Sequence, residues 1–315
     1  MSYGQDEGPV ELLASLREQT LPPTAIHIWH NGPTFPPRPI AGVGQHWSGT
    51  GVGYGEGINQ LLARTHGKRM LIATDDVVLD PNCLERVAAE MVEHPAAVAV
   101  GCALAGSDGL VNAYGLRLTA DWLGINVDRG RPWTDFAKSA ERGDAPYLGP
   151  SGALFGLNRE AWDRIAGGPI FPRSFFLYME DTMLGVRLRL LGAGVRFRPD
   201  AFASHAWSVA TGKRNVEKLR LVERNRIWML RAAHGRAGAI ARLPWTAVRY
   251  VSYLTERRAA PRTGSAPTAF WRAVREGLIG ELPADVREYL RDVAGRSLPR
   301  WCFAETREQL RNPVG

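Results

Sequence analysis

Three groups of side chains in this 315-residue chain have the types and spacing to do chemistry. The first is Asp75-Asp76, closing the apolar run "LIATDD". Two adjacent carboxylates at the C-terminal edge of a strand sit where open α/β sheets take ligands. They suit a hard divalent cation, which in turn binds phosphates. The same acids also serve as plain turn residues, because Asp is common where a strand gives way to a loop. The second group is Glu180-Asp181, which follows Phe175, Phe176 and Tyr178 and opens a helical pattern. A carboxylate against aromatic walls can take a proton from a hydroxyl. Acids in a first helical turn also gain about 0.3–1 kcal/mol from the helix dipole, with no function needed. The third is His205, in "PDAFASHAWS". A lone histidine in a strand is usually a satisfied core residue; it becomes a metal ligand only if the fold brings it to Asp76.

The elements that must position these groups alternate. Residues 10–19 read as a helix and 25–32 as a strand running into a turn. Residues 51–67 read as a Gly-rich loop leading into a helix that Gly67 caps. "RMLIATDD" is the next strand, 81–95 a helix with Pro81 at its start, and 96–106 a buried strand. After a loop-rich stretch, 107–148, come a strand and helix (151–165), a helix opening on acids (180–194) and a strand (195–208). This alternation predicts an α/β fold with a largely parallel sheet.

Composition narrows the class. The hydrophobic fraction of 45% and charged fraction of 23% are those of a globular protein with a real core. The three cysteines, Cys83, Cys102 and Cys302, are odd in number and far apart. That argues against a disulfide framework or a Cys-based metal site and fits a reducing cytoplasm. The first residues show no basic stretch followed by an apolar one, so no signal peptide is expected, and no apolar run is long enough for a spanning helix. Charge is uneven. Residues 1–211 carry 18 Lys/Arg against 22 Asp/Glu, whereas 212–315 carry 21 against 10. Most of the excess lies in 213–262, where 13 basic residues face 3 acidic ones.

The order of the pieces resembles family 2 glycosyltransferases of the GT-A fold, most of all the bacterial rhamnosyltransferase-like members. The resemblance runs over roughly residues 10–230: "LLASLREQT", a strand ending "HNG", "GVGYGEGIN", "IATDDV", "SGALFGLNREAWDRI", "EDTMLGVRLRLLG" and "RNRIWMLR". It implies an inverting transfer of a sugar from a nucleotide diphosphate sugar, dTDP-rhamnose or a UDP-sugar, to a hydroxyl of a glycan or lipid-linked acceptor. It implies Mg²⁺ or Mn²⁺ at Asp76 and His205, and Asp181 as general base with Glu180 beside it. His30, Asn31, Gly53, Gly57, Asn59, Thr74 and Asp75 would line the nucleotide sugar, and Ser151, Gly152, Tyr178 and Arg187 the acceptor side.

The sequence departs from the family pattern in three places. The usual opening strand is missing before residue 10, His30 stands where an Asp often holds the nucleotide, and Thr74 occupies the first position of the acidic metal segment. These departures keep open a non-catalytic nucleotide- or glycan-binding relative, and general likeness alone places a galactofuranosyl or other UDP-sugar transferase behind a rhamnosyl one. A nucleotidyltransferase is less apt, because "SYGQDEGP" offers no basic phosphate loop.

Two domains are expected: a GT-A domain, 1–211, and a basic helical extension, 212–315. In the extension Trp228, Trp245, Tyr250 and Tyr253 interleave with Arg231, Arg236, Arg242, Arg249, Arg257 and Arg258. Aromatics with cations describe a helix lying on an anionic membrane surface. No nucleic-acid recognition module is recognisable. The reading is thus a cytoplasmic enzyme, peripheral at the inner face of the cell membrane.

Overall fold

A computed structural model of the chain describes residues 9–32, 38–205, 216–257 and 266–305, with backbone alone for 252–257 and 266. The order is α1 (Val10–Arg17), β1 (Ile26–His30), β2 (Val43–Trp47), α2 (Tyr54–Arg64), β3 (Arg69–Ala73), β4 (Val77–Leu79), α3 (Cys83–Glu93) and β5 (Ala97–Gly106). Then follow β6 (Val111–Ala113), β7 (Leu116–Leu118), β8 (Gly124–Asn126), α4 (Trp133–Ser139), β9 (Leu154–Asn158), α5 (Arg159–Ile165), α6 (Glu180–Leu191) and β10 (Gly194–His205). The extension holds α7 (Val216–Ile240), α8 (Leu243–Arg257), α9 (Ala266–Val274) and α10 (Ala284–Tyr289), ending in short helical turns.

The central sheet runs β3-β9-β5-β10-β4, with β6 on β5. It is mixed rather than largely parallel. β5 and β10 are parallel, but β3–β9, β5–β9 and β10–β4 are antiparallel. Periodicity marks a strand without giving its direction, and β9 returns after a long irregular excursion rather than a helical crossover. β1 and β2 form a separate parallel pair, in register Ile26 to Val43. β5 is buried along nearly its whole length and alternates between two cores. Ala99 and Ala103 join Phe155, Trp162 and Phe197 on one face, while Val100, Cys102 and Leu104 join Val87 and Met91 of α3 on the other.

α6 is buried nearly all round because it divides two cores. Leu184 and Leu188 face the sheet side; Met183, Val186 and Leu190 face a second cluster with Trp228, Met229, Val286 and Leu290 of the extension. That second cluster is shared by both halves of the chain. A buried ionic group pins it further. Arg226 bridges Glu223 (2.9 Å) and Asp121 (3.4 Å), and Arg249 bridges the same two acids (2.7 and 3.1 Å).

This packing revises the sequence reading of the tail. Trp228 and Arg249 are interior, Arg231 donates to the Gly277 and Gly280 carbonyls, and Tyr250 stacks on Phe270. Trp245 and Arg236 are exposed and Arg242 half-buried. The side chains of Tyr253 and Arg257, and all of Arg258, lie outside the described residues, as do the expected boundary at 211/212 and most of the expected linker.

Candidate active site

β4 runs antiparallel to the end of β10, with His205 opposite Val77. That register brings the residue before β4, Asp76, to His205: Oδ2 and Nε2 lie 3.1 Å apart. The other ring nitrogen, Nδ1, lies 3.2 Å from Asn112 Oδ1. A neutral imidazole donating from Nδ1 turns its Nε2 lone pair toward the carboxylate, so the pair calls for a proton or a cation. Asp76 Oδ1 is buried and has no hydrogen-bond partner. Burial pushes the Asp76 pKa up, but the His205 hydrogen bond and charge and the Thr74 hydroxyl outweigh it, leaving the carboxyl below its ordinary value. An ionised oxygen without a partner beside an imidazole fits a divalent cation. A second acidic group, Glu90, Glu93 and His94, does not: Glu90 is held by Arg196 at 2.6 Å and Arg198 at 3.1 Å.

The Gly-rich segment is held from β1. Asn31 Oδ1 accepts from the Val52 N–H (2.7 Å) and the Gly53 N–H (3.2 Å). Gly53 has φ 86°, and a Cβ there would lie 2.0 Å from the Phe176 carbonyl oxygen. Only glycine lets the two segments meet so closely. The Tyr54 N–H donates to that same oxygen at 2.7 Å, and the Tyr54 hydroxyl donates to the Gly152 carbonyl. Gly57 follows one turn into α2, its N–H on the Gly53 carbonyl. Asn59 fixes the approach to the acids. Its Nδ2 donates to the Phe171 carbonyl (2.8 Å), and its Oδ1 accepts from the N–H groups of Ile170 (3.1 Å) and Phe171 (3.3 Å). His30 is buried against Gln45 Oε1 (3.0 Å); burial lowers its pKa, with Gln45 and the Asp75 charge opposing.

The acids open α6 after an unusual turn. Phe176, Tyr178 and Met179 all have φ between 65° and 72°, the left-handed region that side chains rarely adopt. One residue of α7 holds this turn. Asn225, fully buried, places Nδ2 within 3.0 Å of the carbonyl oxygens of Phe175, Leu177 and Tyr178. Its Oδ1 accepts from Arg224, which also donates to the Phe175 carbonyl at 2.9 Å. The sequence showed this Arg-Asn pair as part of a motif, but nothing local gave it a role.

Asp181 projects toward the strand β9 side. Its Oδ2 accepts from the Gly152 N–H (3.0 Å), and its Oδ1 from the Thr182 N–H (2.7 Å) and hydroxyl (3.3 Å). Burial raises its pKa despite these donors. Glu180 is less fully supported: its Oε1 is buried without a hydrogen-bond partner. Burial, with the Asp181 charge adding to it, pushes Glu180 up to about 8, against donation by backbone N–H groups and the pull of Arg224. Ser151 is buried beside this strand, and the Thr74 N–H donates to the Ala153 carbonyl at 2.9 Å. Residues 151–153 therefore connect the metal-type pair to the acids. Tyr178 lies under Lys218, whose Nζ is 5.4 Å from the ring centre. Arg187 is not brought to the acids. It pairs with Asp292 at 3.0 and 3.1 Å and lies over Tyr289, because its place on α6 faces the extension.

Residues 47–162 match the family model "Glycosyl transferase family 2". Over 226 residues the chain is 25% identical to an N-acetylglucosaminyl-diphospho-decaprenol L-rhamnosyltransferase of Mycobacterium tuberculosis, covering 64% of this chain and 72% of that protein. Among solved structures, S. aureus TarS 1–349 in complex with UDP-GlcNAc matches with a TM-score of 0.53 at 16% identity, over 92% of this chain and 86% of that one. GalNAc-T7 with UDP, GalNAc and Mn²⁺ matches with a TM-score of 0.55 at 11% identity; this chain covers 56% of its length. The fold is that of the GT-A class. The chain carries a family 2 glycosyltransferase domain and is a glycosyltransferase.

Proposed function

We propose that this enzyme transfers a sugar, rhamnose before others, from a nucleotide diphosphate sugar to a hydroxyl of a lipid-linked or cell-surface glycan, with inversion. The observation that carries this reading is the pairing of two differently built acidic sites across residues 151–153: Asp76 beside His205, and Asp181 held by Gly152 and Thr182. Inversion in one displacement needs a base behind the nucleophile and positive charge at the leaving group, on separate elements. Asp181 takes the acceptor hydroxyl's proton. Its oxygens are oriented by fixed donors, and its raised pKa makes it a better base than an ordinary aspartate. Glu180, kept neutral by burial, adds no second negative charge there. Asp76 and His205 would hold Mg²⁺ or Mn²⁺, which supplies charge neutralisation for the diphosphate. His30, Asn31, Asp75 and the Gly53 loop form the nucleotide side; Ser151, Gly152 and Tyr178 form the acceptor side.

The choice of rhamnose, and of dTDP-rhamnose as donor, follows the named activity of the mycobacterial relative; the UDP complexes of the structural neighbours make UDP-sugars the next donors to try. A lipid-linked acceptor puts the reaction at the cytoplasmic face of the cell membrane, with the enzyme peripheral to it. No helix among the described residues is long and apolar enough to cross a membrane. The test is nucleotide release from a panel of sugar nucleotides with Mg²⁺ or Mn²⁺, with product mass as a second readout. Asp181→Asn is expected to lower turnover by about 10²–10⁴-fold. Absence of turnover with every donor, or an unimpaired Asp181→Asn enzyme, would overturn the reading.

A further inference from the structure

Helix α8 is built inside out. Its inward side chains are polar: Thr246 and Arg249 are buried, with the Thr246 hydroxyl on Asp121 at 3.0 Å and Arg249 between Asp121 and Glu223. Its outward stripe is apolar, with Trp245, Val248 and Val251 each at least half exposed. Soluble helices do the reverse, burying the apolar stripe against the core. The stripe is continued by Ile240 at the end of α7, 48% exposed. Exposed Arg236, one turn before Ile240, donates to the carbonyls of Leu278 and Ile279, and Ile279 is itself 67% exposed. On the other side, Tyr250 stacks on Phe270 of α9, next to Trp271, which is 66% exposed and followed by exposed Arg272.

We propose that the outer face of α8, with Ile240 and Trp271, seats in the headgroup region of an anionic lipid surface. The buried ionic group fixes the helix's roll so that the apolar stripe must face outward. Trp at headgroup depth, short aliphatic side chains below it and Arg beside it are the chemistry of an interfacial helix. Charge selects the occupant. Exposed Arg236 and Arg272 flank this face, so a second copy docking through it would set cations against cations, whereas an anionic membrane meets them with opposite charge. The biological sense of the proposal rests on the lipid-linked acceptor suggested above, but its test needs no sugar transfer.

The full chain is mixed with vesicles of phosphatidylcholine alone and of phosphatidylcholine with one third phosphatidylglycerol, and bound protein is measured by sedimentation. Binding to the anionic vesicles, released by salt, is expected. The double substitution Trp245→Glu with Val248→Asp is expected to weaken it about tenfold or more while circular dichroism and nucleotide release stay unchanged. Equal binding of the substituted protein, or equal binding to both vesicle types, overturns the proposal. So does a result in which the substitutions split a dimer and vesicles pull down neither protein. If the double variant does not fold, quenching of the native tryptophans by brominated lipid decides: quenching supports the proposal, and its absence overturns it. Failure of sugar transfer with vesicle binding intact would count against the enzymatic reading alone.

Discussion

Glu180 and Asp181 are neighbours in sequence under opposite constraints. Asp181 is surrounded by donors that favour its charge, whereas Glu180 has a buried oxygen with no donor and keeps its proton instead. The sign of the pH effect follows. Unfolded, Glu180 ionises near 4.5; folded, near 8. Stability from this group is complete below the lower value, falls as pH rises through the window between them, and levels off above the upper one. Glu180→Gln, a mimic of the neutral acid, is expected to flatten that slope, read from denaturant midpoints at the two ends of the window. Because the Asp181 pKa is raised, the acidic limb of the kcat profile is expected above the ordinary aspartate range, and a limb within that range would exclude Asp181 as the base. Gly53→Ala is a sharper geometric test. A methyl group 2.0 Å from the Phe176 carbonyl must push the two loops apart, and the positive φ adds about 1 kcal/mol or more of strain. Lower stability and lower turnover together are expected, measured by melting and initial rates. The acids were legible in sequence because residue type states their chemistry. The protonation state of Glu180 was not, since it comes from what surrounds it.

Helices carry the site through contacts made far along the chain. Asn225→Ala would leave the carbonyls of Leu177 and Tyr178 without this donor, that of Phe175 keeping Arg224, and free the left-handed turn to relax. A fall in kcat of tenfold or more, with the donor KM changed little, is expected from steady-state kinetics, because the loss falls on the base rather than on the nucleotide side. In α8, Arg249→Met would leave Arg226 alone between Asp121 and Glu223, a net buried negative charge, and is expected to cost about 3–5 kcal/mol by chemical denaturation. Most helices were readable from period and end signals, as were β1, β3, β5, β9 and β10 from apolar runs. The signals failed at β2, "VGQHW", which is polar and partly exposed, at β4, only three residues long, and across 107–148, read as loop-rich but holding β6, β7, β8 and α4. Yet β4 is what joins Asp76 to His205. Short edge pairings depend on partners distant in sequence, and local pattern does not encode them. The same reason hid the interior places of Trp228 and Arg249: aromatic and basic spacing fits a wet face and a buried ionic group equally well.

On the scale of the molecule, the extension and the catalytic part share structure. α6 contributes to both cores, Ser174 is held by Asp285 of α10 through its N–H (2.9 Å) and hydroxyl (2.6 Å), and Arg187 reaches Asp292. Two independently melting domains are not expected; calorimetry and tryptophan fluorescence should report one coincident transition, and separated transitions would show the halves to be autonomous. The Asn225 clamp has a consequence for how the enzyme comes into being. During synthesis the metal-type pair, the Gly-rich loop and both acids all leave the ribosome before the residue that sets the acids' turn. A nascent chain stopped short of α7 would possess every reacting group and still lack a poised base. Competence thus waits on a later-made helix: until α7 packs against the acids' turn, the groups of the site are present without the arrangement that poises them.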